Sequence, residues 1–314
     1  MQWGSALFTL KRTVVPQLDP TLISAARPRL VRLAYRMLGG VAEAEDAVQE
    51  ALLRYQRADT EVDSPEAFLA RSVTRVCLDT LKSARRRREA YVGPWLPEPI
   101  FDARESVSDD VTFSLMLALE RLSPLERAAF LLHDVFGVPL DEIARTLDRE
   151  ASACRKLATR AREHVRQARP RYDVSPERSA QIAHAFYVAS RAGDLSGLRQ
   201  LLAEDVVVYS DGGGKRSAAT KPVIGSSRVE RFYVGLARKD RYRPSPYYEP
   251  ARIDGLAGFI SVGRDGVAQT TALSIENERI VAIYMVRNPD KLQRLRLPAS
   301  LPAWKKSAAP SLEQ

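Results

Sequence analysis

The chain has little of what marks a secreted, membrane-bound or metal-dependent protein. Only two of its 314 residues are cysteine, Cys77 and Cys154, and three are histidine. Two isolated thiols inside helical patterns make neither a disulfide framework nor a zinc site, and they fit a reducing cytoplasm. No apolar run approaches the roughly 18 residues of a membrane span. The opening residues carry Lys11 and Arg12 after an apolar stretch, the reverse of a secretory signal, so 1–21 is expected to be a mobile leader. Nothing in the composition calls for a metal or a cofactor. The expected compartment is the cytoplasm.

What is present is basic and globular. The formal net charge is +9 and 45% of the residues are apolar, which suits a folded protein with a polyanionic partner. The length allows two or three domains, and no internal repeat is visible. Basic residues cluster in 71–88 and 155–171, which says more than their total does.

The stretch 139–169 is the most informative. Leu140, Ile143, Ala144 and Leu147 form one face of a short helix. A turn at Asp148-Arg149-Glu150 leads to a second helix with Cys154, Leu157, Ala161 and Val165 inward. Ser152, Arg155, Lys156 and Thr159 point outward, with Arg160 beside them. Two helices, a tight turn and a basic outer face near the second helix's start describe a helix-turn-helix. A solvated pair of packed helices is the alternative.

Composition divides the rest. Residues 22–92 read as helices, with Gly39-Gly40 as a break and Ser64-Pro65 as the start of a long one. Residues 93–110 are a linker, since three prolines fall between Pro94 and Pro99, yet it holds Trp95, Leu96, Ile100 and Phe101. Helices resume over 111–172, where Ser123-Pro124 opens one of them. Between 173 and 297 helical patterns give way to alternating β-branched runs, with a hairpin turn at Glu276-Asn277-Glu278. This order predicts an α+β domain with a curved antiparallel sheet, followed by a tail over 298–314.

Two charged features stand out. Glu43, Asp46, Gln49 and Glu50 form an acidic stripe opposite an apolar one on the helix 41–57. Helix solubility, with acids near the N-terminus favoured by the dipole, is one reading of the stripe; a docking ridge for a basic partner helix is the other. The helix from Ser64 carries Arg71, Arg75, Lys82 and Arg86 in rough alignment and ends in Arg85–Arg88. Four consecutive arginines exceed what a helix C-terminus needs and suit a phosphate-tracking face.

In this order the motifs resemble the extracytoplasmic-function (ECF) subgroup of bacterial RNA polymerase sigma factors over about residues 22–172. Ala44-Glu45-Asp46-Ala47-Val48-Gln49-Glu50 is similar to that family's polymerase-docking helix. Val76–Lys82 and the arginines after it are similar to its promoter-melting, minus-ten-reading helix. Leu122-Ser123-Pro124-Leu125-Glu126-Arg127 and Ala153-Cys154-Arg155 are similar to its minus-thirty-five-reading domain. The recognition turn departs from many members in having Glu150-Ala151 in place of Ser-Pro. The resemblance implies core RNA polymerase and promoter DNA as partners.

The second half resembles the SnoaL-like, cystatin-type cone that one ECF group carries. Three short signatures are shared: Trp95-Leu96-Pro97-Glu98-Pro99, Asp211-Gly212-Gly213-Gly214-Lys215 and Asn288-Pro289-Asp290-Lys291-Leu292. The resemblance implies a control domain, with a small ligand or regulator left open. Trp95 and Leu96 need a surface to cover, and the loops Asp211–Lys215 and Asn288–Leu292 at strand ends predict that one rim of the cone meets the linker. Cone folds are often enzymes, but His133, His164 and His184 fall in predicted helices outside the sheet, so no catalytic residues are assigned. Two rival readings stay open here: a helix-turn-helix regulator that is not a sigma factor, and a SnoaL-type enzyme with an appended DNA-binding module.

Overall fold

A computed structural model describes residues 20–57, 64–89, 91–101, 113–166, 174–239 and 247–298. Most of the expected leader, the tail after Pro298 and the second half of the linker lie outside the described residues.

The first helical unit is α1 (Pro20–Leu38), α2 (Val41–Gln56) and α3 (Pro65–Glu89). α1 stops because Gly39 takes φ +78, a left-handed value at which a side chain is strained. α3 opens at Ser64, whose Oγ accepts the Ala67 N–H at 3.3 Å. The second unit is α4 (Phe113–Glu120), α5 (Pro124–Phe130), a single π turn over Leu131–Val135, α6 (Leu140–Leu147) and α7 (Ala151–Arg166). A reciprocal box starts α5: Ser123 Oγ accepts the Glu126 N–H, and Glu126 accepts the Ser123 N–H at 3.0 Å. Asp148, at φ 54, ends α6 in the left-handed conformation and aims α7.

The two helical units share one apolar core. It runs from Leu33, Ala34 and Val48 through Leu69 and Val73 to Leu131, Ile143 and Ala161. Arg127, 2% exposed, crosses this seam and donates to the Met37 carbonyl oxygen and to Glu120, each at 2.6 Å. Among the described residues, no helix is long and apolar enough to cross a membrane.

The third unit is α8 (Pro176–Ala192), α9 (Leu195–Leu201), β1 (Leu202–Asp211), β2 (Val223–Ile224), α10 (Ser226–Ala237) and β3–β6 (Tyr247–Ile253, Leu256–Val262, Ala268–Glu276, Arg279–Val286). One sheet has the order β2-β1-β6-β5-β4-β3. Asn277 and Glu278 both adopt positive φ, which turns β5 into β6 within two residues. The expected all-antiparallel sheet is corrected at one pair, because β1 runs parallel to β6. Hairpins force antiparallel neighbours, whereas β1 reaches β6 only across α10 and four further strands, where either direction is free. β2 is too short to show alternation. β3 contains Pro250, which a sheet tolerates on the edge strand where β3 lies.

Helices α8 and α10 cover one sheet face, burying Ile182, Phe186, Val229 and Tyr233 against Val208, Phe259, Ile283 and Met285. Across the other face, Ala272, Tyr284, Val286 and Leu292 form a second apolar cluster. One of its buried members comes from outside the domain: Leu96, 0% exposed.

Candidate functional site

α2 buries Ala44, Ala47, Val48 and Ala51 and leaves Glu43, Asp46 and Gln49 exposed on its other side. Glu50 is half-buried and pairs with Arg54 at 2.9 Å. The acidic ridge is therefore a solvent face on a firmly seated helix. Its neighbour Glu45 is engaged, pairing at 2.6 Å with Arg294 of the third unit.

On α3 the predicted DNA contacts scatter. Arg71 is half-buried, and Lys82 is exposed and pairs with Asp79 at 2.9 Å. Arg75 turns toward the second unit, donating to the carbonyl oxygens of Arg145 (3.3 Å) and Thr146 (3.4 Å) at the end of α6. Arg85, Arg86, Arg87 and Arg88 sit on the last turns of α3, and their side chains lie outside the described residues. On α7 the division is clean: Cys154, Ala158, Ala161 and Val165 are buried, while Ser152, Arg155, Lys156, Thr159 and Arg160 are exposed. Arg160 leans back to Glu126 at 3.4 Å.

The three short motifs meet at one buried carboxylate. Asp211, at the end of β1 and 0% exposed, accepts from four donors. These are the Leu96 N–H at 2.9 Å, the Tyr91 hydroxyl at 2.5 Å, the Gly213 N–H at 3.0 Å and Lys291 Nζ at 2.7 Å. A buried charge survives only if paired and hydrogen-bonded, and this one is both. Burial, then the bond to Asp211, holds the Tyr91 phenol well above its usual range, so it stays a donor. Asn288 Nδ2 donates to that phenol oxygen at 2.8 Å. Lys291 also donates to the Leu96 carbonyl oxygen and lies 4.1 Å from the centre of the Trp95 ring.

The glycines after Asp211 have a steric reason. Gly213, at φ +61, would place a Cβ 2.3 Å from Asn288 Nδ2. Lys215 and Asp290 pair with each other at 2.6 Å in solvent. Pro97 and Pro99 are buried, and Pro289 is exposed beside the buried Leu292.

Farther along the linker, Glu98 faces the first unit. Its carboxylate accepts the Val41 N–H at 2.8 Å, capping the start of α2, and its own N–H donates to the Gly39 carbonyl oxygen at 2.8 Å. Burial raises the Glu98 pKa from its ordinary value. Ile100 and Phe101 then run antiparallel to Ile253 and Asp254, with the Asp254 N–H donating to Ile100 O at 2.9 Å. Tyr35 of α1 donates to the Glu98 carbonyl oxygen (2.9 Å) and to Asp254 (3.2 Å). The linker is thus clamped between the cone and the first helical unit.

Inside the cone, Phe186, Arg191, Tyr233, Gln269 and Met285 line a cavity of about 20 Å³, room for little more than a water molecule. His184 is on the outside of α8, bonded to the Tyr248 hydroxyl at 3.1 Å.

Residues 22–87 match the family model for Sigma-70 region 2, and residues 112–165 match that for Sigma-70, region 4. The chain is 39% identical over 287 residues to the ECF RNA polymerase sigma factor SigJ of Mycobacterium tuberculosis, covering 85% of this chain and 91% of that one. It is 34% identical over 298 residues to the probable ECF RNA polymerase sigma factor SigI of the same species, covering 89% and 97%. A crystal structure of SigJ superposes with a TM-score of 0.72 at 35% identity, over 87% of this chain and 98% of that chain. The chain belongs to the ECF RNA polymerase sigma factors. It binds core RNA polymerase and promoter DNA and directs transcription initiation, and the likeness to SigJ extends through the α+β unit.

Several residues that hold this sigma factor together escape sequence reading. Tyr35, Tyr91, Asp254 and Arg294 lie outside the short motifs and act 63 to 249 positions away from their partners. Only Asp254 left a trace, since Asp254-Gly255 is a hairpin-turn dipeptide.

Proposed function

We propose that Glu43, Asp46, Gln49 and Glu50 are the surface that this sigma factor presents to core polymerase. Arg71, Arg75, Lys82 and Arg85–Arg88 follow the DNA backbone near the melting point, and Ser152, Arg155, Lys156, Thr159 and Arg160 read the upstream element. The units 22–92, 111–172 and 173–297 act as separate domains in that work. The third domain acts in cis, by holding the linker between the two promoter readers through Asp211, Asn288 and Lys291. It does so without catalysis, in the compartment where polymerase works, the cytoplasm.

One observation carries this reading. Glu43, Asp46 and Gln49 on α2 and Ser152, Arg155, Lys156, Thr159 and Arg160 on α7 stand in solvent, with Glu50 half-buried, on helices whose opposite faces are sealed in the core. The enzyme reading has less support, because the cavity under α8 and α10 is about 20 Å³, far below the roughly 300 Å³ of a usual ligand pocket, and the cleft of about 230 Å³ on the other sheet face is shared with α4.

The test is co-elution with core polymerase and promoter-specific initiation by the full chain and by Asp46→Arg. The variant should keep its unfolding midpoint and lose core affinity. Unchanged core affinity would remove α2 as the docking surface.

A further inference from the structure

Most of this chain's net positive charge lies where the family reading does not put it. Residues 174–298 hold nineteen Lys and Arg against thirteen Asp and Glu, a net +6 of the chain's +9. Within them, 212–239 hold seven cations and a single acid, so this one segment carries the whole excess. The acid, Glu230, is buried and paired with Arg199 at 3.2 Å. The exposed surface of the segment is therefore cationic without relief.

Twelve of this domain's nineteen cations fall into two groups. Arg178, Arg199, Lys215, Arg287, Lys291 and Arg294 each pair with a carboxylate. Arg216, Lys221, Arg228, Arg231, Arg238 and Lys239 are exposed and have no carboxylate partner among the described residues. Among the described residues, the hydrogen-bond partner of Arg231 is the Ser227 carbonyl oxygen of its own helix. In chain order these six form a path from the loop after β1, past the edge strand β2, and along α10. Two exposed acids flank the path: Asp290, which pairs with Lys215 in the loop half, and Glu204, whose backbone lies beside Gly225 where the path turns into α10.

The path starts where the arginine run of α3 stops. Arg88 is three residues from Tyr91, no more than about 11 Å of chain. Tyr91 is bound to Asp211 at 2.5 Å, at the head of this segment. A Cβ on Gly214 would lie 3.4 Å from Val92, and one on Gly93 would lie 3.5 Å from Thr220. The hub thus fixes the cationic edge of the cone to the end of the helix that follows DNA.

We infer that the edge formed by Arg216, Lys221, Arg228 and Arg231 is a further DNA-binding surface, taking backbone phosphates of the promoter duplex next to those taken by α3. The inference rests on the sigma reading of α3. Bonds from unpaired Lys and Arg to phosphate carry no sequence information and release counterions, so they show in salt dependence.

The experiment compares the full chain with a variant carrying Arg216→Gln, Lys221→Gln, Arg228→Gln and Arg231→Gln. Each is loaded on core polymerase, and promoter affinity is measured from low to high KCl. The expected result is a log–log slope shallower by about 0.9 for each phosphate that the variant no longer neutralises, with affinity reduced alike on different promoter sequences. A second variant, Arg228→Lys with Arg231→Lys, keeps the charge and should keep the slope. An unchanged slope in the Gln variant overturns the inference and leaves the edge merely solvated. A loss of core affinity at constant slope overturns it too, assigning the edge to an acidic surface of the polymerase. The parent chain separates the two readings: if it fails to initiate at a promoter, the sigma reading fails first. If it initiates and the Gln variant behaves identically, only this inference falls.

Discussion

The recognition helix α7 and the linker 91–101 carry the family's marks in opposite ways. On α7 the polar residues proposed to read DNA are exposed, and among the described residues only Arg160 of them is tied to a carboxylate. In the linker, Leu96 is fully buried, its N–H and C=O are both bonded to the cone, and Glu98 caps a helix of another unit. The difference teaches what each region is for. A surface that must bind an external partner has to stay unsatisfied until the partner comes. A segment that sets the geometry between domains has to be satisfied already.

That contrast is open to breakage, most forcefully at Asp211. Asp211→Ala leaves the Lys291 ammonium, the Leu96 N–H and the Tyr91 hydroxyl without their acceptor in a buried site. Breaking a buried charge pair costs about 3–5 kcal/mol. Denaturant unfolding of the full chain should show the loss, and hydrogen exchange over 93–101 should lose its protection. Equal protection in parent and variant would mean that the hub does not hold the linker.

Leu96→Ala comes next. Truncating a fully buried leucine costs about 2–5 kcal/mol, and here the cavity opens between linker and sheet. The change should appear in exchange at 93–101 and in promoter-spacing preference, with α7 unaffected.

The opposite side of the comparison is probed by Arg155→Ala. A base-contacting arginine is worth about 1–3 kcal/mol of discrimination, so affinity should fall with relaxed preference at one promoter position. Because Arg155 is exposed, the unfolding midpoint should move by no more than about 0.5 kcal/mol equivalent. A uniform loss over all promoter sequences would make Arg155 a phosphate-binding residue.

The smallest effect belongs to Lys215→Ala. Lys215 and Asp290 are more than half exposed, so their pair contributes about 0–1 kcal/mol despite its place in a shared motif. A larger destabilisation would show that this ion pair, and not the buried carboxylate, clamps the rim.

Legibility in the sequence followed the range of the interactions. The helices, the turn at Asp148, the capped starts at Ser64 and Ser123, and the inner and outer faces of α2 and α7 were all readable. Each arises from residues within a turn or two of one another. The strands β4, β5 and β6 and their turn at Asn277-Glu278 were readable for the same reason. β1 was seen as a strand, but its parallel pairing with β6 was not.

The sequence by itself therefore determined the elements, their apolar faces and the exposed polar faces of α2 and α7. Only the tertiary structure decided that Asp211 is fully buried, that Tyr91 and Leu96 are its partners, and that Arg75 bonds to the end of α6. It also decided that the cone's unpaired cations begin where α3 ends. The physical reason is that local periodicity encodes which face of an element is apolar, but not which distant surface will cover it. That choice is made by packing and by the need to satisfy each buried charge, and both are settled only when the whole chain is in place.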